Sequence, residues 1–147
     1  MTANHPRLVL IEDNPADILL VQEAIRESGI AVELISYPDV PEAISGLDDE
    51  VNPRPDAILL DLNLPKGEGM SVVKALRDSD RLRDVPLAIL TSSQSPRDLE
   101  QAQRLKVAWY IHKPSTLNEF LTRVGDAVSE LLSVRSRGLK EEEAEEK

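Results

Sequence analysis

Ala57-Ile58-Leu59-Leu60-Asp61-Leu62-Asn63-Leu64-Pro65 decides the fold of this chain. Four consecutive apolar residues end on a carboxylate and pass into a loop punctuated by Pro65, Gly67 and Gly69. A strand wetted on one face alternates apolar and polar residues, whereas a strand covered on both faces is apolar without interruption. Residues 57–60 therefore read as a central strand of a parallel sheet with helices on both sides. Asp61 then stands just beyond its carboxyl end, where open α/β sheets bind ligands.

The same arrangement recurs in both directions along the chain. Arg7 to Ile11 runs into Glu12-Asp13, Leu87 to Leu90 into Thr91, and Val107 to Ile111 into His112-Lys113-Pro114. Val32 to Ser36 is a further run, followed by a weaker helical pattern. Helical patterns fill the intervals. Asn14 as N-cap, Pro15 at N1 and Asp17 in the first turn open a helix whose Ile18, Val21 and Ile25 share a face, and Gly29 stops it. A second helix carries Val40, Ala43, Ile44 and Leu47, and a third Met70, Val73 and Leu76. Ser95-Pro96-Arg97-Asp98 repeats the opening of the first helix ahead of Leu99 and Ala102. Thr116 and Glu119 form a capping-box pair, before Leu117, Phe120, Leu121, Val124, Val128, Leu131 and Leu132 mark a long amphipathic helix. The reading is α/β, (βα)5: a doubly wound, parallel, five-stranded sheet of flavodoxin-like order 2-1-3-4-5.

Bulk properties narrow the function. A chain of 147 residues suggests one domain. We expect a tail over 1–6, the domain over 7–135, and a charged tail over 136–147 that is disordered, fraying, or an extension of the last helix. A net charge of -10 argues against nucleic acid as a partner. No cysteine is present, which excludes disulfides and thiol catalysis, and His5 and His112 cannot build a His-rich zinc site. No apolar run approaches the roughly 20 residues that span a bilayer, and residues 1–6 lack the apolar segment of a signal peptide. A cytoplasmic protein without a membrane partner is expected.

On this topology Glu12, Asp13, Asp61, Thr91 and Lys113 converge at one edge of the sheet. Carboxylates, a hydroxyl and an ammonium together suit a divalent cation and a phosphoryl group held beside a carboxylate. In order and position, Val9 to Asn14, Asp61 to Pro65 with Gly69, Leu90 to Ser93 and Tyr110 to Pro114 resemble the receiver domain of two-component response regulators. The resemblance covers about Arg7 to Leu132. Glu12 to Asp17 is similar to the stand-alone receivers related to phytochrome-associated regulators.

The resemblance implies residue roles that the chemistry supports. Asp61 would be the phosphoryl acceptor, since a carboxylate can form an aspartyl phosphate; the plainer alternative is a strand-end carboxylate capping a loop. Asp13 and Asp61 would ligate Mg2+ directly with the Asn63 backbone carbonyl, and Glu12 mainly through water, hard cations preferring oxygen. Without a cation the cluster is costly: two like charges about 4 Å apart repel by roughly 4 kcal/mol at an effective dielectric of about 20. Lys113 would neutralise the phosphoryl group, with Pro114 in the family's Lys-Pro peptide, which is often cis. Thr91 would hydrogen-bond the group and Tyr110 would turn inward after it, a two-state switch biased by new charge. Tyr110 and Trp109 should lie on opposite faces, with Trp109 in the core or at a partner surface. His112 should face solvent, Met70 should pack, and Ser92 is a secondary candidate to assist Thr91.

The implied protein is a single-domain response regulator without an output domain. A sensor histidine kinase, a bacteriophytochrome among the candidates, would phosphorylate it. Beyond self-catalysed phosphorylation and dephosphorylation it would not be an enzyme. Leu131, Leu132 and Val134 near the end of the last helix, with Trp109, suggest a homodimer through helix 4, strand 5 and helix 5. The rivals are a phosphorelay intermediate serving a histidine phosphotransfer protein, a pseudo-receiver interaction module, and a flavodoxin-like cofactor binder, which would want a Ser/Thr/Gly-rich loop after the first strand. A phosphatase of the haloacid-dehalogenase type needs a second Asp where Asn63 stands.

Overall fold

The computed structural model describes residues 5–63, 69–92 and 95–145, with side chains described as far as Ser133. The expectations placed on residues 1–4, on Leu64, Pro65, Gly67 and Ser93, and on the side chain of Val134 lie outside the described residues.

Five strands alternate with five helices: β1 (Arg7–Ile11), α1 (Pro15–Ser28), β2 (Glu33–Tyr37), α2 (Val40–Asp48), β3 (Ala57–Asp61), α3 (Gly69–Asp78), β4 (Leu87–Thr91), α4 (Pro96–Arg104), β5 (Trp109–His112) and α5 (Leu117–Glu145). All strand pairs are parallel, in the order β2-β1-β3-β4-β5. Val9 pairs with Ile58, Leu60 with Ile89, and Ile89 with Tyr110. Every residue of β3 and β4 is buried, as the unbroken apolar runs required. Because side chains alternate along a strand, the core has two halves. Leu8, Leu10, Leu59, Leu90 and Ile111 pack under α1 and α5. Val9, Ile11, Ile58, Leu60 and Ile89 pack under α2, α3 and α4. Parallel strands place their carboxyl ends at one edge, so Glu12, Asp61, Thr91 and Lys113 share it.

The local signals act as their chemistry dictates. Asn14 Oδ1 accepts from the Ala16 and Asp17 amides at 2.8 and 3.4 Å, and Gly29 closes α1 at φ 77°. Ser95 Oγ accepts from the Asp98 amide at 3.4 Å. Asp39, which the sequence did not single out, caps α2 by accepting from the Glu42 amide at 2.9 Å. Thr116 Oγ1 accepts from the Glu119 amide at 3.3 Å and its hydroxyl lies 3.1 Å from Glu119 Oε1. Gly69 sits so close to the end of β3 that a Cβ there would stand 2.9 Å from the Leu62 carbonyl oxygen. The Lys113–Pro114 peptide is trans, as are all described peptide bonds.

Several boundaries and faces differ from the sequence reading. β2 begins at Glu33 rather than Val32 and runs to Tyr37. β5 begins at Trp109 rather than Val107, because the chain leaves α4 through a turn with Lys106 at φ 61° and the Val107 amide still bonded to the Ala102 carbonyl. Val107 packs on the core from that turn. Leu99 and Leu117, read as core-facing, are 41% and 56% exposed. Leu131 and Leu132, read as spare apolar surface, are buried in the same half-core as α1. The reason is that α1 and α5 lie against each other, so α5 meets a helix as well as the sheet.

Candidate functional site

Each site residue is aimed by a strand end. The Glu12 amide continues the sheet by donating to the Tyr37 carbonyl at 3.0 Å, which fixes the backbone that carries its side chain. Glu12 is fully buried. Its Oε2 accepts from the Asn14 amide at 3.2 Å, while Oε1 has no hydrogen-bond partner among the described residues. Asp61 ends β3 and is 2% exposed. Its Oδ1 accepts from the Asn63 amide at 2.8 Å, and its Oδ2 accepts from Lys113 Nζ at 3.2 Å. The Lys113 amide donates to the Thr91 carbonyl at 2.7 Å, so the β4–β5 ladder itself sets where the lysine begins. Asp13 stands exposed at the mouth.

One carboxylate oxygen from each of Glu12, Asp13 and Asp61 lies within 4.8 Å of the others. The donors are all oxygen, which suits a hard divalent cation. The unpartnered, buried Oε1 of Glu12 is the atom such a site would otherwise leave unexplained. Burial pushes the Glu12 carboxyl up to about 9, helped by the neighbouring Asp61 carboxylate; Lys113 and the Asn14 amide pull the other way. Lys113 is held above its ordinary value: burial would lower it, but the hydrogen bond to Asp17 and the charges of Asp61, Glu12 and Asp17 outweigh that.

Thr91 is fully buried at the end of β4 and lies 3.4 Å from Asn63 Oδ1 through its hydroxyl. Ser92 donates to the same Asn63 oxygen from its amide at 2.7 Å and its hydroxyl at 3.0 Å. Tyr110 packs with the α2–α3–α4 half of the core and Trp109 with the α1–α5 half, on opposite faces as expected. The Tyr110 hydroxyl is buried without a hydrogen-bond partner among the described residues, and burial followed by the Asp98 charge raises its pKa. His112 faces solvent and Met70 packs on the core.

The structure thus brings together Glu12, Asp13, Asp61 and Lys113, with Thr91 and Asn63 alongside. Two roles went unseen in the sequence. The sequence points to Asn63 for its backbone carbonyl, yet its side chain ties β3 to the start of the β4–α4 connection. Asp17 has the sequence position of a helix-start acid, yet its Oδ2 accepts from Lys113 Nζ at 3.0 Å. Asp17 had a usable signal, lying in the first turn of the helix that follows Glu12 and Asp13 directly. Asn63 had none, since its partner is 29 residues away.

Residues 8–125 match the family model described as the response regulator receiver domain. The chain is similar to response regulator Rcp1 of Synechocystis sp., with 36% identity over 127 residues covering 83% of this chain and 86% of Rcp1. The structure of Mn(2+)-bound Rcp1 aligns with TM-score 0.76 at 35% identity, covering 82% of this chain and 90% of that one. The phosphorylated cyanobacterial phytochrome response regulator RcpA aligns with TM-score 0.81 at 36% identity, covering 89% and 96%. Against the DNA-binding dual master transcriptional regulator RpaA of Synechocystis sp., identity is 35% over 81% of this chain, which spans 47% of that protein.

Proposed function

This chain belongs to the response regulator receiver-domain family of two-component signalling, and on that premise we propose that Asp61 accepts a phosphoryl group from a sensor histidine kinase. The observation that carries the reading is the pairing of a buried Asp61 with Lys113 at 3.2 Å beside two further carboxylates. An isolated aspartate at a strand end needs neither.

In the transfer, an Asp61 carboxylate oxygen bonds to phosphorus while the bond from phosphorus to the kinase's histidine nitrogen breaks and that nitrogen keeps the electron pair. Such a reaction asks the protein for positioning and charge neutralisation more than for covalent chemistry. The β3 ladder and the Asn63 amide hold Asp61. The Lys113 ammonium meets charge growing on the phosphoryl oxygens. Glu12, Asp13, Asp61 and the Asn63 carbonyl would hold Mg2+, which supplies further neutralisation of the phosphoryl oxygens when bound; the manganese in the Rcp1 structure supports a divalent cation here. The Thr91 hydroxyl would donate to the new group, leaving Asn63, and Tyr110, its hydroxyl already buried, would shift into the space Thr91 vacates. Charge on Asp61 thereby biases a two-state surface formed by α4, β5 and α5. Hydrolysis by water attack on phosphorus would return Asp61 and phosphate.

Likeness to RcpA supports a kinase of the phytochrome type, and a cytoplasmic location goes with that partner. A phosphorelay intermediate would use the same site and differ in its recipient. The intact site weighs against a pseudo-receiver.

The test is intact mass of wild type and Asp61→Asn after treatment with acetyl phosphate, with and without Mg2+. The expected result is a gain of one phosphoryl group that needs both Asp61 and Mg2+. Uptake by Asp61→Asn to the same extent as wild type would overturn the assignment of the acceptor.

A further inference from the structure

Lys113 is shared. Its Nζ stands 3.0 Å from Asp17 Oδ2 and 3.2 Å from Asp61 Oδ2. Both ends of the Asp17 pair are largely shielded, at 22% side-chain exposure for Asp17 and 18% for Lys113, unlike a surface pair whose partners sample solvent freely.

Asp17 is itself rigidly placed. Pro15 opens α1, and the Asn14 side chain accepts from the Asp17 amide. Its side chain therefore starts from the first turn of a capped helix, aimed at the end of β5 on the far side of the site. Lysine has a long stem with about 2 kcal/mol of rotamer freedom. A second anchor on a fixed helix reduces the freedom that must be lost when the ammonium meets a phosphoryl oxygen. The ammonium has three donors; among the described residues Asp17 and Asp61 take two, which leaves the third for the incoming group.

We propose that Asp17 is a positioning residue for phosphoryl transfer, holding the Lys113 ammonium against Asp61 before the phosphoryl group arrives. The inference rests on the reading of Asp61 as the acceptor. It predicts that Asp17 acts through Lys113 and not through the stability of α1.

Asp17→Ala is expected to slow phosphorylation by acetyl phosphate in Mg2+ by about three- to tenfold. Asp17→Asn, whose amide oxygen still accepts a hydrogen bond, should recover part of the rate. In a Lys113→Ala background, Asp17→Ala should change nothing further. Wild-type rate in Asp17→Ala, a faster rate, or an equal loss in the Lys113→Ala background would overturn the proposal. A second measurement needs neither metal nor phosphodonor: acetic anhydride labelling of Lys113, read by peptide mass spectrometry. Labelling should rise in Asp17→Ala and stay near wild type in Asp17→Asn, in proteins whose thermal melts show them folded. Unchanged labelling in Asp17→Ala would overturn the proposal. Failure of wild type to take up phosphate would count against the Asp61 reading, while the labelling still decides Asp17.

Discussion

At the residue scale, Glu12 is the position where the fold stores electrostatic cost. Its carboxyl rises from an ordinary 4.5 to about 9 in the folded chain, through burial and then Asp61. Between those values the folded chain holds a proton that the unfolded chain has released. Folding then takes up a proton, so the contribution of Glu12 to stability falls as pH rises through that window. Metal-free protein should melt progressively lower across it, and Glu12→Gln, already uncharged, should flatten the dependence. Mg2+ binding only the folded state raises stability by about 2.7 kcal/mol at 100 times its dissociation constant. Melts of wild type should therefore move upward on adding Mg2+, and Asp13→Asn should be the more stable protein without it. No shift with Mg2+, or a pH slope unchanged in Glu12→Gln, would contradict this account. Asp61, Asp13 and Lys113 were legible as site candidates because each follows an apolar run. Asp17 was hidden behind its plausible duty at a helix start.

At the element scale, α5 shows how packing assigns a face that periodicity leaves open. Leu117 and Leu131 belong to one apolar series in the sequence, yet Leu117 is 56% exposed and Leu131 fully buried. Leu117 is the first residue of its helix, while Leu131 lies in the half-core between α1, α5 and the sheet. Removing a fully buried leucine side chain costs its transfer energy and leaves a cavity. Leu131→Ala should lose about 2–5 kcal/mol in urea denaturation, and Leu117→Ala within roughly 0.5 kcal/mol. Equal losses would show that α5 sits differently on α1. The starts of α1 and α4 were readable because an N-cap acts within three residues: Asn14 and Ser95 cap as their spacing requires. The start of β5 was not, because Lys106 adopts a positive φ that no glycine or asparagine announced.

At the scale of the whole molecule, the sheet gathers residues from four distant segments onto one edge and leaves β5 as an outer strand. Leu131 and Leu132 serve the protomer's own core, so they no longer support an interface. Among the described residues, Leu99 on α4 and Leu117 on α5, 41% and 56% exposed, and the outer strand β5 with Trp109 partly buried remain to support the suggested homodimer through α4, β5 and α5. With a net charge of -10 on each copy, any such dimer forms against mutual repulsion and should strengthen with salt. Sedimentation at tens of micromolar with phosphodonor and Mg2+ should show dimer. Monomer alone, with and without phosphodonor and at both low and high salt, would remove this proposal.

The sequence by itself determined the (βα)5 order, the central place of β3 and β4, and the acidic and basic groups at the strand ends. Those features are local: an unbroken apolar run, a cap three residues from its amide, a carboxylate just past a strand. Tertiary structure alone decided that Asp17 shares Lys113, that Asn63 holds Ser92, and that the end of α5 is core. Those depend on which elements become neighbours across 96, 29 and comparable numbers of residues. Such contacts leave no periodic trace, because distance along the chain says nothing of distance across a sheet.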